Sequence, residues 1–307
     1  MRIGMVIPGP GAAVGLEQML AQIERAERLG FSSVWTVNIQ SAGYDALTML
    51  ALAGRCTERI ELASFVVPTW PRHPAVMAQQ ALTAQVASRG RLTLGIGLGH
   101  QVVIEAQLGI PWEQPVRHMR EYLACLRGLL AGEVVTRAGK GVRITNFRIA
   151  VPDDIDPPPV LVAALGPRML ELAGREAAGT VVWMGGARYL AEHAVPTISA
   201  AAAAAGRPAT RVVNCVPVCV TDNGPAVRAQ VAAAFERYGQ LPSYRAILDK
   251  ADAPDPSHVA LIGTEDEVLA RLRELAAAGV TDFGASIFAP PGERVERTEQ
   301  LLLAFGG

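Results

Sequence analysis

Lysine is nearly missing from this chain of 307 residues, standing only at Lys140 and Lys250, and arginine supplies almost all the positive charge. Together with abundant alanine, this marks a GC-rich coding sequence. The formal net charge is −1. No basic surplus exists to neutralise a phosphate backbone, so nucleic acid is not an expected partner. No run of eighteen apolar residues occurs, which excludes an expected membrane-spanning helix. Met1-Arg2-Ile3 leads at once into a strand-like segment, so no signal peptide is expected and the reading is a cytoplasmic protein. Cysteine is sparse: Cys56, Cys125, Cys215 and Cys219 form no C-x-x-C pair and have no histidine cluster beside them. That argues against zinc and for reduced, buried thiols. No metal site is expected.

Machinery for several reaction classes is also missing. There is no H-E-x-x-H, no G-x-S-x-G and no P-loop. No strand end offers the two carboxylates that glycoside hydrolysis requires.

What is present is alternation. Apolar, strand-like runs cover 2–7, 33–37, 59–67, 91–96, 159–164, 180–184, 211–221 and 281–288. Helical spacing covers 16–29, 44–56, 74–87, 167–177, 188–205, 225–237, 265–278 and 292–304. Gly30 and Gly279 stop helices, and Pro74 suits a first helical position. Strand and helix repeated eight times imply parallel crossovers, hence a single (β/α)8 barrel spanning 1–307. Segments 98–158 and 238–262 break the pattern and read as insertions at the C-terminal face. An open doubly wound sheet is the rival architecture, and eight strand candidates favour closure.

In such barrels the functional site lies where the strands end. Here those ends are Asn38-Ile39-Gln40, Ser64 to Val67, Gly97-Leu98-Gly99-His100, Leu165-Gly166-Pro167-Arg168, Met184-Gly185-Gly186 and Ser286 to Ala289. They are rich in glycine, apolar side chains and amides. A large planar ligand that carries its own reactivity fits this composition. Ala164-Leu165-Gly166-Pro167-Arg168 runs from a strand into a helix, where free amides and the helix dipole attract an anion; a plain βα turn reads equally well. Gly95-Ile96-Gly97-Leu98-Gly99 lacks the G-x-G-x-x-G spacing of a dinucleotide site and reads as a tight strand exit. His73 and His118 read as helix-start residues. Trp70, Trp112 and Trp183 are candidates for a pocket wall or for packing.

Several stretches carry a resemblance to a known family. They are Ala26 to Trp35 (AERLGFSSVW), Thr57 to Ser64 (TERIELAS), Arg72 to Gln80 (RHPAVMAQQ), Ser88 to Gly97 (SRGRLTLGIG), Leu170 to Arg175 (LELAGR) and Leu272 to Asp282. In this order and spacing the chain resembles the luciferase-like monooxygenase superfamily, and within it the oxidoreductases dependent on coenzyme F420. The resemblance implies a tricyclic ring in the barrel mouth, resting on a bulge at Ser64-Phe65-Val66 with a cis Phe65–Val66 bond. It places the cofactor phosphate at Leu165 and Gly166, beside Pro167 and Arg168. It sets Gly97, Gly99 and Val103 along the ring and its side chain, and Gly185 on the phosphate side. A homodimer is implied as well.

Relatives that oxidise sugar phosphates or alcohols carry an Asp-His pair after the second strand, where this chain has Asn38-Ile39, and some carry a glutamate where it has His100. Asn38 offers hydrogen bonds and cannot accept a proton near neutral pH. His100 is expected to titrate there, or else to make a structural hydrogen bond. The expected activity is hydride transfer between F420 and a small organic substrate bearing C=C, C=N or a carbonyl or alcohol, with Asn38 and His100 as candidate catalytic groups. An FMN-dependent monooxygenase on the same scaffold, and a barrel that holds F420 or flavin without turnover, are the alternatives.

Overall fold

A computed structural model describes residues 1–8, 14–39, 43–151 and 155–306. Gly9, Pro10 and Gly11 of the first loop and Gln40 after the second strand lie outside the described residues. In chain order the first half comprises β1 (Arg2–Ile7), α1 (Leu16–Leu29), β2 (Ser33–Val37), α2 (Ala46–Cys56), β3 (Glu61–Phe65), β4 (Val67–Pro68), α3 (Pro74–Ala87) and β5 (Leu92–Gly97). A π-helical turn (Val102–Gln107), α4 (Pro115–Leu130) and the hairpin β6 (Val135–Ala138) and β7 (Arg143–Phe147) follow. The second half comprises β8 (Val160–Ala163), α5 (Pro167–Glu176), β9 (Gly179–Trp183), α6 (Ala187–Tyr189), a second π turn (Leu190–Ala194) and α7 (Val195–Ala204). After these come β10 (Arg211–Val220), α8 (Gly224–Ala234), α9 (Glu236–Gln240), α10 (Pro242–Lys250), β11 (Leu261–Gly263), α11 (Glu265–Ala277), β12 (Asp282–Ile287) and α12 (Val295–Gly306).

Eight strands pair in parallel in the circular order β1, β2, β3, β5, β8, β9, β10, β12 and back to β1. Closure is therefore complete and the fold is a (β/α)8 barrel, as the alternation predicts; the open-sheet rival is excluded. Among the described residues no helix is long and apolar enough to cross a membrane.

Local chemistry sets the element ends. Gly30 closes α1 at φ 97°, a left-handed conformation that favours glycine. Asp45 accepts from the Thr48 amide at the start of α2. His73 caps α3 ahead of Pro74 through Nδ1, which accepts from the Ala75 amide. Thr264 and Glu267 form a capping box on α11.

The fourth barrel helix, α4, lies inside the segment 98–158 that the sequence reading leaves without a helix. It buries Met119, Tyr122, Leu123, Leu126 and Leu130 at helical spacing. The helix expected over 188–205 is present as α6 and α7, with a π turn between them.

The interior holds Val6, Trp35, Ala63, Leu161, Val181, Val213 and Cys215. Its N-terminal end is closed by charge. Arg211 Nη1 donates to Glu61 Oε1 at 2.8 Å and Nη2 to Asp282 Oδ1 at 2.7 Å. Arg2 and Thr93 also donate to Glu61. Burial alone raises the Glu61 carboxyl pKa, but the Arg211 charge and hydrogen bonds overcome it and hold the group below the usual carboxylate range.

Several of the stretches that carry the family resemblance work at this closed end. Glu27 Oε1 accepts from the amides of Glu58, Arg59 and Ile60. Arg91 donates to the carbonyls of Gly54, Thr57 and Ile60, finishing α2. These residues build the scaffold, far from the strand ends that form the mouth.

Candidate active site at the barrel mouth

The bulge after β3 organises the mouth. Leu62 and Ala63 face Leu92 and Thr93, whereas Val67 and Pro68 face Ile96 and Gly97. The segment carrying Ser64, Phe65 and Val66 thus takes one residue more than its neighbour, the definition of a bulge. The Phe65–Val66 peptide is cis. Ser64 Oγ spans the interrupted ladder, donating to the Gly95 carbonyl at 2.8 Å and accepting from the Gly95 amide at 2.9 Å.

Glycine is required opposite. A methyl group on Gly95 would lie 2.1 Å from the Ser64 carbonyl oxygen, and one on Gly97 would lie 2.7 Å from Val66 Cγ2. The Gly95-x-Gly97 spacing is therefore a steric record of the bulge, in keeping with a tight strand exit. Gly97 is buried beneath Val66, and its carbonyl accepts from the Thr69 amide at 2.8 Å. Gly99, at φ 78°, turns the chain into the π-helical segment, where the amides of Val103 and Ile104 both donate to the His100 carbonyl.

Val37, Phe65, Val66 and Trp183 pack on the interior cluster and are themselves half-buried. They form an apolar floor beneath the mouth. Phe65 meets Trp183 edge-on across the barrel, with ring centroids 5.6 Å apart.

At the end of β8, Gly166 is the N-cap of α5 and Pro167 its first residue. A methyl group on Gly166 would meet nothing within 4 Å. Gly166, Pro167 and Arg168 are exposed, and the Leu165 carbonyl accepts from the Tyr189 hydroxyl at 2.7 Å. The turn therefore presents open backbone amides with a cation beside them. Gly185, at the end of β9, is packed differently. Its carbonyl accepts from Asn214 Nδ2 at 3.0 Å, and an added methyl would lie 2.6 Å from Asn214 Oδ1. Asn214 is fully buried and its Oδ1 has no partner. Sequence reasoning missed it, because an asparagine within an apolar strand gives no sign of the loop it will hold.

The two candidate catalytic groups are less free than expected. Asn38 Oδ1 accepts from the Ala46 amide at 3.0 Å, which ties the end of β2 to α2. The Asn38 Nδ2 makes no hydrogen bond among the described residues. His100 contacts the rings of Tyr238 and Tyr244. Burial, and secondarily the Arg237 charge, push its pKa below the ordinary histidine value. The shift favours the neutral imidazole.

His118 stacks on Trp70 at 3.7 Å and bonds Thr69 Oγ1 through Nε2 at 3.0 Å, and burial pushes its pKa down to about 4. It is a first-turn residue of α4, as its sequence position suggests. Trp112 packs against Trp70. Cys125, Cys215 and Cys219 are buried, and Cys56 is exposed. Among the described residues no group of three or more potential metal ligands gathers. A cleft of about 550 Å³ lies at the opposite, N-terminal end of the barrel, lined by the Arg127–Glu176 ion pair, Glu133 and Arg207. It touches none of the groups described above.

The family profile described as luciferase-like monooxygenase matches residues 1–282. The chain belongs to the luciferase-like monooxygenase family. Among its relatives is the 5,10-methylenetetrahydromethanopterin reductase of Methanolobus tindarius, 31% identical over 308 residues, covering 90% of this chain and 91% of that one. Another is the F420-dependent glucose-6-phosphate dehydrogenase of Beutenbergia cavernae, 35% identical over 201 residues, 62% of this chain and 59% of that one. Among solved structures, the oxygenating constituent of 3,6-diketocamphane monooxygenase from Pseudomonas putida, in complex with FMN, superposes with a TM-score of 0.78 at 19% identity, covering 98% of this chain and 96% of that one. At that identity the likeness shows the fold alone. The luciferase-like chain is thus kin to oxidoreductases.

Proposed function

We propose that this luciferase-like barrel is an F420-dependent oxidoreductase that moves a hydride between coenzyme F420 and a small organic substrate bearing C=C, C=N or a carbonyl or alcohol. The observation that carries the reading is the apolar floor at Phe65 and Val66 together with the exposed turn at Gly166, where an added methyl group meets nothing within 4 Å. A flat ring fits the first and a phosphate the second, so the residues fit a phosphate-tailed tricyclic cofactor. The F420-dependent dehydrogenase among the relatives supports the choice of cofactor.

When bound, such a cofactor would supply the hydride chemistry. The chain's own residues do the rest. Phe65 and Val66 would support one face of the ring, with Ser64 holding the bulge from within; the Gly166 amide would donate to the phosphate and the Arg168 guanidinium would offset its charge. Gly97 acts by giving the bulge its place, and Gly185, held by Asn214, fixes the neighbouring loop. Gly99 and Val103 bound the ring's side chain. Asn38 Nδ2 donates a hydrogen bond to ring or substrate. Neutral His100 donates or accepts one without changing charge.

A second copy of the chain is part of this reading. Helix α3 has no charged residue over its whole length and exposes Val76, Gln79, Thr83 and Val86. A cleft of about 360 Å³ beside it is shared with Ile149 and Ala150. Such an uncharged outer face suits an interface between copies.

An FMN-dependent monooxygenase is the second reading, favoured by the match to the family profile described as luciferase-like monooxygenase. Titration of the pure protein with F420 and with FMN separates the two. The proposal stands if F420 binds the tighter, and fails if FMN does or if neither binds.

A further inference from the structure

Aromatic residues make up only 5% of the chain, yet they crowd one side of the mouth. Trp183 touches Phe65 at 5.6 Å and Tyr238 at 6.0 Å, and Tyr238 touches Tyr244 at 4.9 Å and His100 at 5.8 Å, measured between ring centroids. The rings come from the ends of β3 and β9, from the segment after β5, and from α9 and α10. Trp183, Tyr238 and Tyr244 pack one side onto a buried cluster that includes Met184, Leu248 and Val259, and each is only half-buried. Aromatic surface gathered at one place and left partly open marks a place where another apolar surface docks.

The polar tips of these rings set them apart from the other buried tyrosines. The Tyr122 hydroxyl donates to the Arg72 carbonyl at 2.8 Å, and the Tyr189 hydroxyl to the Leu165 carbonyl at 2.7 Å. The Tyr244 hydroxyl and the ring nitrogens of His100 make no hydrogen bond among the described residues, and the Tyr238 hydroxyl has the Trp183 indole N–H beside it, which leaves its own O–H free to donate. Burial raises the pKa of both phenols and lowers that of the imidazole. All three tips are therefore uncharged near neutral pH and able to donate or accept. The charged group near them is Arg237, which is exposed.

We infer that this side of the mouth is a substrate pocket for a flat, uncharged aromatic or conjugated carbonyl compound, with its ring against Trp183 and Tyr238 and its oxygen among the tips of Tyr238, Tyr244 and His100. The inference rests on the reading of the mouth as an oxidoreductase site and names its substrate class. A half-buried aromatic wall rewards a planar apolar body, and neutral tips reward a neutral oxygen. A sugar phosphate, hydroxylated on every face and doubly charged, would desolvate against that wall, with the Arg237 charge on the exposed side rather than within it.

Calorimetric titration of the full-length protein with coumarin, naphthalene and glucose 6-phosphate tests this. Coumarin is expected to bind and glucose 6-phosphate not. Trp183→Leu should weaken coumarin and naphthalene together. Tyr238→Phe and His100→Phe keep a ring in place and remove a polar tip. Each should weaken coumarin about fivefold, the effect of one neutral hydrogen bond, and leave naphthalene unchanged. Unaltered melting curves verify that the variants fold. Coumarin binding no tighter than glucose 6-phosphate, or coumarin affinity untouched when both tips are removed together, overturns the inference. F420 and FMN are titrated separately. Cofactor binding without coumarin selectivity sinks this inference alone, whereas coumarin selectivity without cofactor binding upholds it and sinks the proposed function.

Discussion

The Ser64 hydroxyl stands between the amide and the carbonyl of Gly95, 2.9 Å from one and 2.8 Å from the other. Where the bulge opens the ladder, this one side chain supplies both missing partners. Ser64→Ala would leave a buried donor and a buried acceptor unpaired, a loss of about 1–3 kcal/mol. Thermal melting should show the drop, and cofactor affinity should fall with it as the bulge shifts. Gly95→Ala is expected to be worse, since its methyl group meets backbone rather than a flexible side chain.

The closed end of the barrel makes a second, independent demand. Arg211→Met would leave Glu61 and Asp282 facing each other without the guanidinium between them, although Arg2 still reaches both. Breaking a buried ion network from one side costs about 3–5 kcal/mol, and the retained Arg2 contacts place this change toward the lower figure. The pH dependence follows from Glu61. Its folded pKa is depressed, so the unfolded chain takes up the proton first as pH falls. The stability it contributes is present above the ordinary carboxylate pKa and is lost as pH falls through the folded value. Denaturant melts of wild type between pH 7 and pH 3 should show this loss, and Glu61→Gln should flatten it.

His118 gives a second pH window. Its folded pKa is pushed down to about 4 from an ordinary value of 6.5. The unfolded chain therefore binds a proton that the folded chain refuses. Stability is full above pH 6.5 and falls between there and pH 4, by up to about 3 kcal/mol. His118→Phe, which keeps the stack on Trp70, should remove the dependence in this window and leave that of Glu61 in place.

These effects also show what the sequence makes legible. The eight strands are readable because both faces of each are buried, which writes a nearly continuous apolar run such as Val212 to Val220, broken by Asn214. Helix α4 carries the same kind of signal in Met119, Leu123, Leu126 and Leu130. It is masked by neighbours with no periodicity, the π turn before it and the hairpin after it. Within the site, the bulge at Ser64 to Val66 is legible only through family resemblance. The contacts that define the mouth, Phe65 with Trp183 and Asn214 with Gly185, join residues far apart in the chain, and no local pattern announces them.

The turn at Gly166 separates folding from binding. Gly166 has φ −93° and open space beyond its α-carbon, so Gly166→Val should melt at the wild-type temperature. If the cofactor phosphate sits on this turn, the added side chain should weaken F420 binding by about tenfold or more, equivalent to ~1.4 kcal/mol. Arg168→Ala should weaken it less, and less again at high salt. Equal affinity in wild type and Gly166→Val would move the phosphate elsewhere.

The α3 face is tested by charge. Val76→Asp combined with Val86→Arg touches no core residue, so the fold should survive. Light scattering coupled to size exclusion should then report a dimer for wild type and a monomer for the double variant. A wild-type monomer at micromolar concentration would remove this interface from the account.

The most direct measurement is a fluorescence and absorbance titration of the purified chain with F420 and, in parallel, with FMN. Saturable one-to-one binding of F420 is expected, about tenfold or more tighter than that of FMN, and weakened by Gly166→Val. Tighter binding of FMN, or no saturable binding of either, would contradict it.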